Sequence, residues 1–561
     1  MTRFLPLLLL ILSLSVKSQT KISQTEKFKQ IGLVWGLLKY HHPDISKGIY
    51  DWDIELINLI EKVKYIDEQE NLNTLLLKFV DKFNNPINQY TSKPIKVEDK
   101  NIFKKNYSYN WIDKTDFSPK LKDIFISLKN NNNIGDHYAT VPKISKIVSF
   151  NNEKELLGFD PILKSHRLLT LFRFWNIIQY WNVNKYLTDT NWITVLEELI
   201  PVFLNAKSIE NYEIAKLKML STLNDSHSYQ TSSFIYSTLF KYKPPFEVNC
   251  INDTLLVTAI YNKTLAQKNE IYLGDVIVKI NNLQINDYID SKFASLLSHS
   301  NKTYLRELTN RFILKNKSDS LQIQILSKQV ELKNKTIKLN ETFKIENFKR
   351  LVKREKGNWR KITPKITYIN LGNITSKELF KIFKENKDDK GIILDLRNYP
   401  KRIDLGDLSK ILFPESKEFV KVLMPLKDHP SIGEYNAEAS LKLIHQPFKV
   451  GRKNSDYFKG KIILLVNRQT GSMTEYLGMA IQQSPNCYTI GEQTMGAVMN
   501  ITSAFLPDKQ EFYFTSMGAF YPNGEVVQRK GLRIDLYINE SATNYSPNLY
   551  IEKAVELIEK H

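Results

Sequence analysis

Ser472 stands where a hydroxyl can become reactive. The apolar run Ile462-Ile463-Leu464-Leu465-Val466 reads as a buried strand, Asn467-Arg468-Gln469-Thr470-Gly471 as a loop, and a helical pattern resumes over 474–483. A serine between a strand and a helix N-terminus exposes its hydroxyl beside free backbone N–H groups, and these, with the helix dipole, stabilise a developing oxyanion. The chemistry on offer is acyl transfer. The same spacing also fits a plain cap, with Ser472 or Thr474 capping the helix and Glu475 in its first turn, so spacing alone leaves both readings open. A nucleophilic serine needs a base within reach. Among nine histidines, His227 lies in Asn224-Asp225-Ser226-His227-Ser228-Tyr229, whose polar side chains bond their own backbone and place it on a turn. His41-His42 are adjacent and lack the spacing that puts two imidazoles on one helix face, so they read as a helix end before Pro43 rather than as metal ligands.

The elements that must carry these residues fall into three regions. Val34-Trp35-Gly36-Leu37-Leu38-Lys39-Tyr40 and Phe174-Trp175-Asn176-Ile177-Ile178-Gln179-Tyr180 align at an offset of 140, which also carries Asp51-Trp52 onto Asn191-Trp192. Both copies have helical apolar periodicity, a loop and a second helix start, so two related helical hairpins are expected, with the Trp and Tyr stripe in the core. Between them, residues 90–160 are rich in Asn and Lys, with poor periodicity, and read as a connector or mobile loop. A helical stretch over 209–223 precedes the His227 turn. From about 243 short strands take over: Leu255 to Ile260, the turn Tyr272-Leu273-Gly274-Asp275, Val276 to Ile280, and Ser320 to Leu326. After 345 strand and helix alternate, implying βαβ units, a mostly parallel sheet, and functional groups on loops after the strands.

The middle strands resemble a PDZ domain in their strand, Leu-Gly-Asp turn and Val-Ile-x-x-Ile strand. The last region resembles the tail-specific (carboxyl-terminal processing) serine proteases, in particular their tricorn-like branch. The residues concerned are Asp395-Leu396-Arg397-Asn398, Val466-Asn467 with Ser472 and Glu475, Gly491-Glu492-Gln493-Thr494-Met495-Gly496, and Gly531 with Asp535. The resemblance implies a multidomain α+β protein: N-terminal helical hairpins, a PDZ-like β domain, and a C-terminal α/β crotonase-like catalytic domain. It places the nucleophile at Ser472. One branch of the family takes its base from a Lys after the Thr-x-Gly turn, where this chain has Ala497; the other uses a Ser-His pair ahead of the PDZ domain, matched by Ser226-His227. His227 is then general base and later general acid, and Ser226 orients its ring. Gln528 stands where the branch has Glu, three residues before the late Gly, and Tyr399-Pro400-Lys401 replace the family's Gly-Gly. The implied oxyanion donors are the backbone N–H groups of Met473 and Tyr399.

Composition limits the setting. The 561 residues carry Lys+Arg 79 against Asp+Glu 60, a formal +19, but the charges scatter and no basic block interleaves with aromatics, which argues against nucleic acid. Arg3, the apolar run Phe4 to Leu14 and Ser15-Val16-Lys17-Ser18 have the order of a secretory signal with cleavage near Ser18. No segment is long and apolar enough to span a bilayer. The expected location is exported, periplasmic or secreted. Cys250 and Cys487 allow one disulfide at most and sit in different expected domains. The domain division read from these signals is signal peptide 1–18, helical region with connector 19–160, second hairpin with the Ser-His turn 161–242, PDZ-like domain 243–330 and protease domain 345–561. The function expected is an exported serine endopeptidase without cofactor. Its substrates would be unfolded or tail-exposed polypeptides, held as an added strand. The alternative is a catalytically inactive relative acting as a peptide-binding or scaffold protein of the cell envelope.

Overall fold

The computed structural model describes residues 20–83, 100–131, 134–228, 233–327, 331–351, 357–400, 403–436, 448–542, 545–546 and 548–560. The expected signal segment lies outside them. The helical repeat is present, and its side chains show why the two copies fold alike. Helices Gln24–His41 and Trp52–Lys62 form the first hairpin, Lys164–Trp181 and Trp192–Asn205 the second. Within the first, Trp35 Nε1 donates to the Trp52 carbonyl at 2.8 Å and Trp52 Nε1 to that of Trp35 at 3.0 Å; in the second, Trp175 and Trp192 exchange the same bonds at 2.7 and 3.1 Å. Each indole thereby satisfies its one donor inside an apolar core. The hairpins pack through equivalent positions: a Cβ on Gly36 would sit 1.7 Å from Asn176 Oδ1, so only glycine permits this approach.

The stretch expected to be an irregular connector is more ordered than its composition suggests. Helix Pro119–Lys129 buries Leu121, Phe125 and Leu128, a helical stripe diluted by lysines. Glu153, 1% exposed, meets buried Lys39 at 2.8 Å and Arg173 at 3.2 Å, and Arg173 reaches the Phe505 carbonyl at 3.0 Å. Buried charge paired on both sides ties the hairpins to the C-terminal region.

The middle region is a sheet ordered Phe246–Ile251, Thr254–Ile260, Val276–Ile280, Ser320–Leu326, Leu332–Lys338. It extends beyond the expected limit of 330: Leu332–Lys338 pairs antiparallel with all of Ser320–Leu326, and Lys349–Arg350 pairs with Ile260 and Ala259. The pairing thus carries this sheet to Arg350, past both 330 and 345. In Leu332–Lys338 only Ile337 is buried, so main-chain pairing on a lysine-rich edge builds a strand with no apolar alternation to announce it.

The C-terminal sheet is ordered Leu536–Tyr537, Cys487–Gly491, Lys461–Val466, Gly391–Asp395, Ile366–Asn370, Trp359–Thr363, parallel except at the last pair. Alternate residues feed two cores. Ile392, Leu394, Ile462 and Leu464 pack on one face with helices Ser376–Glu385 and Met473–Ile481, while Ile393, Ile463 and Leu465 pack on the other with Leu549–Glu559. Both faces being covered explains why these strands read as continuous apolar runs. A hairpin, Ile501–Phe505 with Glu511–Thr515, leaves this body and inserts Phe512 and Phe514 into the helical core.

Candidate active site

Ser472 ends the loop after the central strand with φ 57° and ψ −126°, a conformation that costs a non-glycine residue about 1–3 kcal/mol. Its side chain makes no capping bond to the helix Met473–Ile481, so the cap reading of the sequence does not hold. Neighbours enforce the backbone. Ser472 N–H donates to the Ala497 carbonyl at 2.8 Å, Met495 N–H to that of Thr470 at 2.9 Å, and Thr470 Oγ1 to that of Leu396 at 3.1 Å. A Cβ on Gly471 would lie 2.2 Å from Met495 Sδ, so glycine is required there by contact. Glu475, 0% exposed, accepts from the N–H groups of Gly496 and Ala497 at 2.7 and 2.9 Å and from the Thr494 hydroxyl. Burial pushes its carboxyl up to about 7 against these bonds. The glutamate thus fixes the 494–497 turn that in turn holds Ser472.

His227 sits, as expected, on a turn after helix Ile209–Ser221. Its Nδ1 lies 2.8 Å from Thr515 Oγ1. Thr515 Oγ1 in turn donates to Asp225 Oδ1 at 2.9 Å, and the Asp225 carboxylate also accepts from the N–H groups of His227 and Thr515. A hydroxyl has one proton, and here the carboxylate takes it. Thr515 Oγ1 must therefore accept from the imidazole, which puts the ring proton on Nδ1 and leaves Nε2 with a free lone pair. Burial lowers the His227 pKa from 6.5, with the Asp225 charge opposing, so the neutral ring is favoured.

Gln528 belongs to this network. Its Nε2 lies 3.3 Å from Thr515 Oγ1 and 3.4 Å from Asp225 Oδ1, and its Oε1 accepts from Val498 N–H at 3.3 Å. Ser226 does not hold the ring. Its Oγ accepts from Ser300 N–H at 2.8 Å and its N–H donates to Ser300 Oγ at 2.9 Å, a reciprocal pair that pins the turn to the loop before helix Lys302–Thr309. The hydroxyl at the His227 ring is that of Thr515, backed by Asp225, and not that of Ser226. Asp225 was visible beside the histidine as a turn former; Thr515 carried no local signal.

The two loops converge on the same turn: Met495, which packs against Gly471, also receives Ser226 Oγ at its carbonyl at 3.5 Å. Among the described residues neither Ser472 Oγ nor His227 Nε2 has a hydrogen-bond partner, so the two atoms are not bonded to each other. Met473 N–H opens the helix beside Ser472, and the Tyr399 side chain is 58% exposed. Tyr399 and Gln469 line a cleft of about 1610 Å³ whose opposite wall is the edge strand Phe246–Ile251 and the segment Glu307–Lys315. Arg468 bridges the walls, bonding Glu307 at 3.1 Å and Asn249 at 2.8 Å. Cys250 and Cys487 are unbonded thiols. Among the described residues no group of His, Cys, Asp or Glu is arranged to hold a metal, and no helix is long and apolar enough to cross a membrane.

A family model described as Peptidase family S41 matches residues 365–538, which include the five parallel strands of the sheet, Ser472 and the 494–497 turn. Over these residues the chain is similar to peptidase family S41. The chain thus carries a serine-type peptidase domain. Among solved structures, mature CPAF in complex with lactacystin is similar at 11% identity and a TM-score of 0.52, over 71% of this chain and 97% of that one. Mature CPAF alone gives 12% identity and 0.51, over 71% and 96%. These likenesses are of fold, and at 71% of the chain they cover more of it than the S41 match does. No curated protein matches the chain.

Proposed function

We propose that this protein is an exported serine endopeptidase, with Ser472 as nucleophile and His227 as its base. The observation that carries the reading is Ser472 itself, whose hydroxyl is withheld from the helix by a strained backbone that the 494–497 turn maintains. On substrate binding, Oγ attacks the scissile carbonyl carbon and its proton passes to His227 Nε2. Nδ1–H remains on Thr515, so the imidazolium charge is balanced by Asp225 through one hydroxyl. The carbonyl oxygen, now negative, meets the Met473 N–H at the positive end of the helix, with the Tyr399 N–H as second donor. Collapse breaks the C–N bond, the amine leaves with the proton held by Nε2, and water releases the acyl group by the same steps reversed. The middle sheet, read as PDZ-like, supplies an edge on which an extended polypeptide adds as a strand.

A fluorophosphonate probe tests the reading. The folded wild-type protein is expected to be labelled at Ser472 only, and Ser472→Ala to lose both label and hydrolysis of an unfolded protein substrate. Absence of label at saturating probe with the fold intact would overturn the reading in favour of an inactive peptide-binding relative.

A further inference from the structure

The cleft facing the S41 domain carries a charge imbalance that the peptidase reading does not use. Its carboxylates are already engaged: Glu247 with Arg350 at 3.4 Å, Glu307 with Arg468 at 3.1 Å, and Asp395 with Arg397 at 2.7 Å. Lys243, Arg311 and Lys315 line the same cleft, and among the described residues none of them has a carboxylate partner. They feel one another: burial lowers the Lys315 pKa first, and the charges of Lys243 and Arg311 lower it further. Lys243 and Lys315 are held over the rings of Phe343 and Phe312, each at 5.3 and 5.1 Å respectively, which limits their retreat into solvent.

Beside these cations runs the outer edge of the strand Phe246–Ile251, which among the described residues has no neighbouring strand on that side. Cys250 N–H donates to Asn310 Oδ1 at 2.8 Å, so it points away from the partner strand Thr254–Ile260. Alternation in an antiparallel pair then sends the Val248 backbone groups outward as well, into the cleft. Main-chain groups of this kind take an extended peptide, and an unneutralised cation cluster next to them takes negative charge.

We infer that this cleft binds an extended peptide segment bearing carboxylates, with its backbone on the edge Phe246–Ile251 and its acidic groups against Lys243, Arg311 and Lys315. The peptidase reading enters only in calling that peptide a substrate. A nucleic acid fits less well, because its continuous phosphate row would also meet Glu247, Glu307 and Asp395.

The test reads binding in the full-length mature chain with Ser472→Ala, using two labelled dodecapeptides that differ only in two Asp replaced by Asn. The acidic peptide is expected to bind about 10-fold tighter at low salt, and the preference to shrink towards unity at about 0.5 M salt, where screening reaches within a few ångströms. It should also vanish in the Arg311→Gln/Lys315→Gln variant, while that variant still binds the Asn peptide, which reports an intact fold. Equal affinities in the parent protein, or a preference that survives the double variant, would overturn the inference. So would displacement of the acidic peptide by oligo-dT at equal concentration, which would mark a general polyanion surface. Because hydrolysis is absent from the assay, phosphonate labelling of the wild type separates the two failures: labelled Ser472 without acidic preference removes only this inference, and preference without label removes only the peptidase reading.

Discussion

Replacing Thr515 by Val tests the relay that orients His227 while leaving shape almost unchanged. Thr515 is 0% exposed and its hydroxyl accepts from His227 Nδ1, lies within reach of Gln528 Nε2, and donates to Asp225. Asp225 keeps its two backbone donors in the variant, so the group left without a partner is chiefly the imidazole N–H. An orphaned buried donor costs about 1–3 kcal/mol, which should appear as a lower melting temperature. The catalytic loss is separate. The bond that selects the Nδ1–H tautomer is worth roughly 1–2 kcal/mol, and with about 1.4 kcal/mol per factor of ten, kcat should fall about 5- to 30-fold with little change in KM. Thr515→Ser restores the hydroxyl and should recover most of kcat. Steady-state kinetics and thermal melts of both variants decide the matter. If Thr515→Val is destabilised yet keeps wild-type kcat, or if Thr515→Ser is as slow as the valine variant, the relay argument fails.

Three further outcomes follow from the same geometry. In the proposed role of His227 as base only the neutral ring takes the proton, and burial lowers its pKa from 6.5, so kcat/KM should rise with pH through a midpoint below 6.5; Asp225→Asn, which removes the opposing charge, should shift the midpoint lower still, and a midpoint above 6.5 in the wild type would refute this. Glu475 titrates near 7 in the folded chain against 4.5 as its ordinary value, so between these the folded state holds a proton that the unfolded state lacks. Stability in urea should therefore fall as pH rises across that window, and Glu475→Gln should flatten the dependence; an unchanged slope would count against the burial argument. Gly36→Ala places a methyl 1.7 Å from Asn176 Oδ1, and overpacking of this kind should cost about 1–3 kcal/mol by chemical denaturation, whereas a loss within error would mean the hairpins separate freely.

Much of the architecture was written locally. The hairpin repeat is legible because helix packing demands apolar residues at fixed intervals, and the same demand recurs with the Trp pairs at an offset of 140. The central strand Lys461–Val466 is legible because a strand covered on both faces must be apolar throughout. Ser472 could be located by its position between strand and helix, but cap and nucleophile share one spacing, and only the folded backbone at φ 57° shows that the side chain makes no capping bond. Features made by main-chain pairing or distant contact left no trace. Leu332–Lys338 shows no alternation because its edge position needs hydrogen bonds rather than burial. Thr515 lies 288 residues from His227, at the end of a hairpin whose Phe512 and Phe514 are seated in the helical core. Short-range patterns record what each segment must bury. Which hydroxyl reaches an imidazole, and which cations remain unpaired in a cleft, depends on how separately specified bodies dock, and that is settled only when the whole chain has folded.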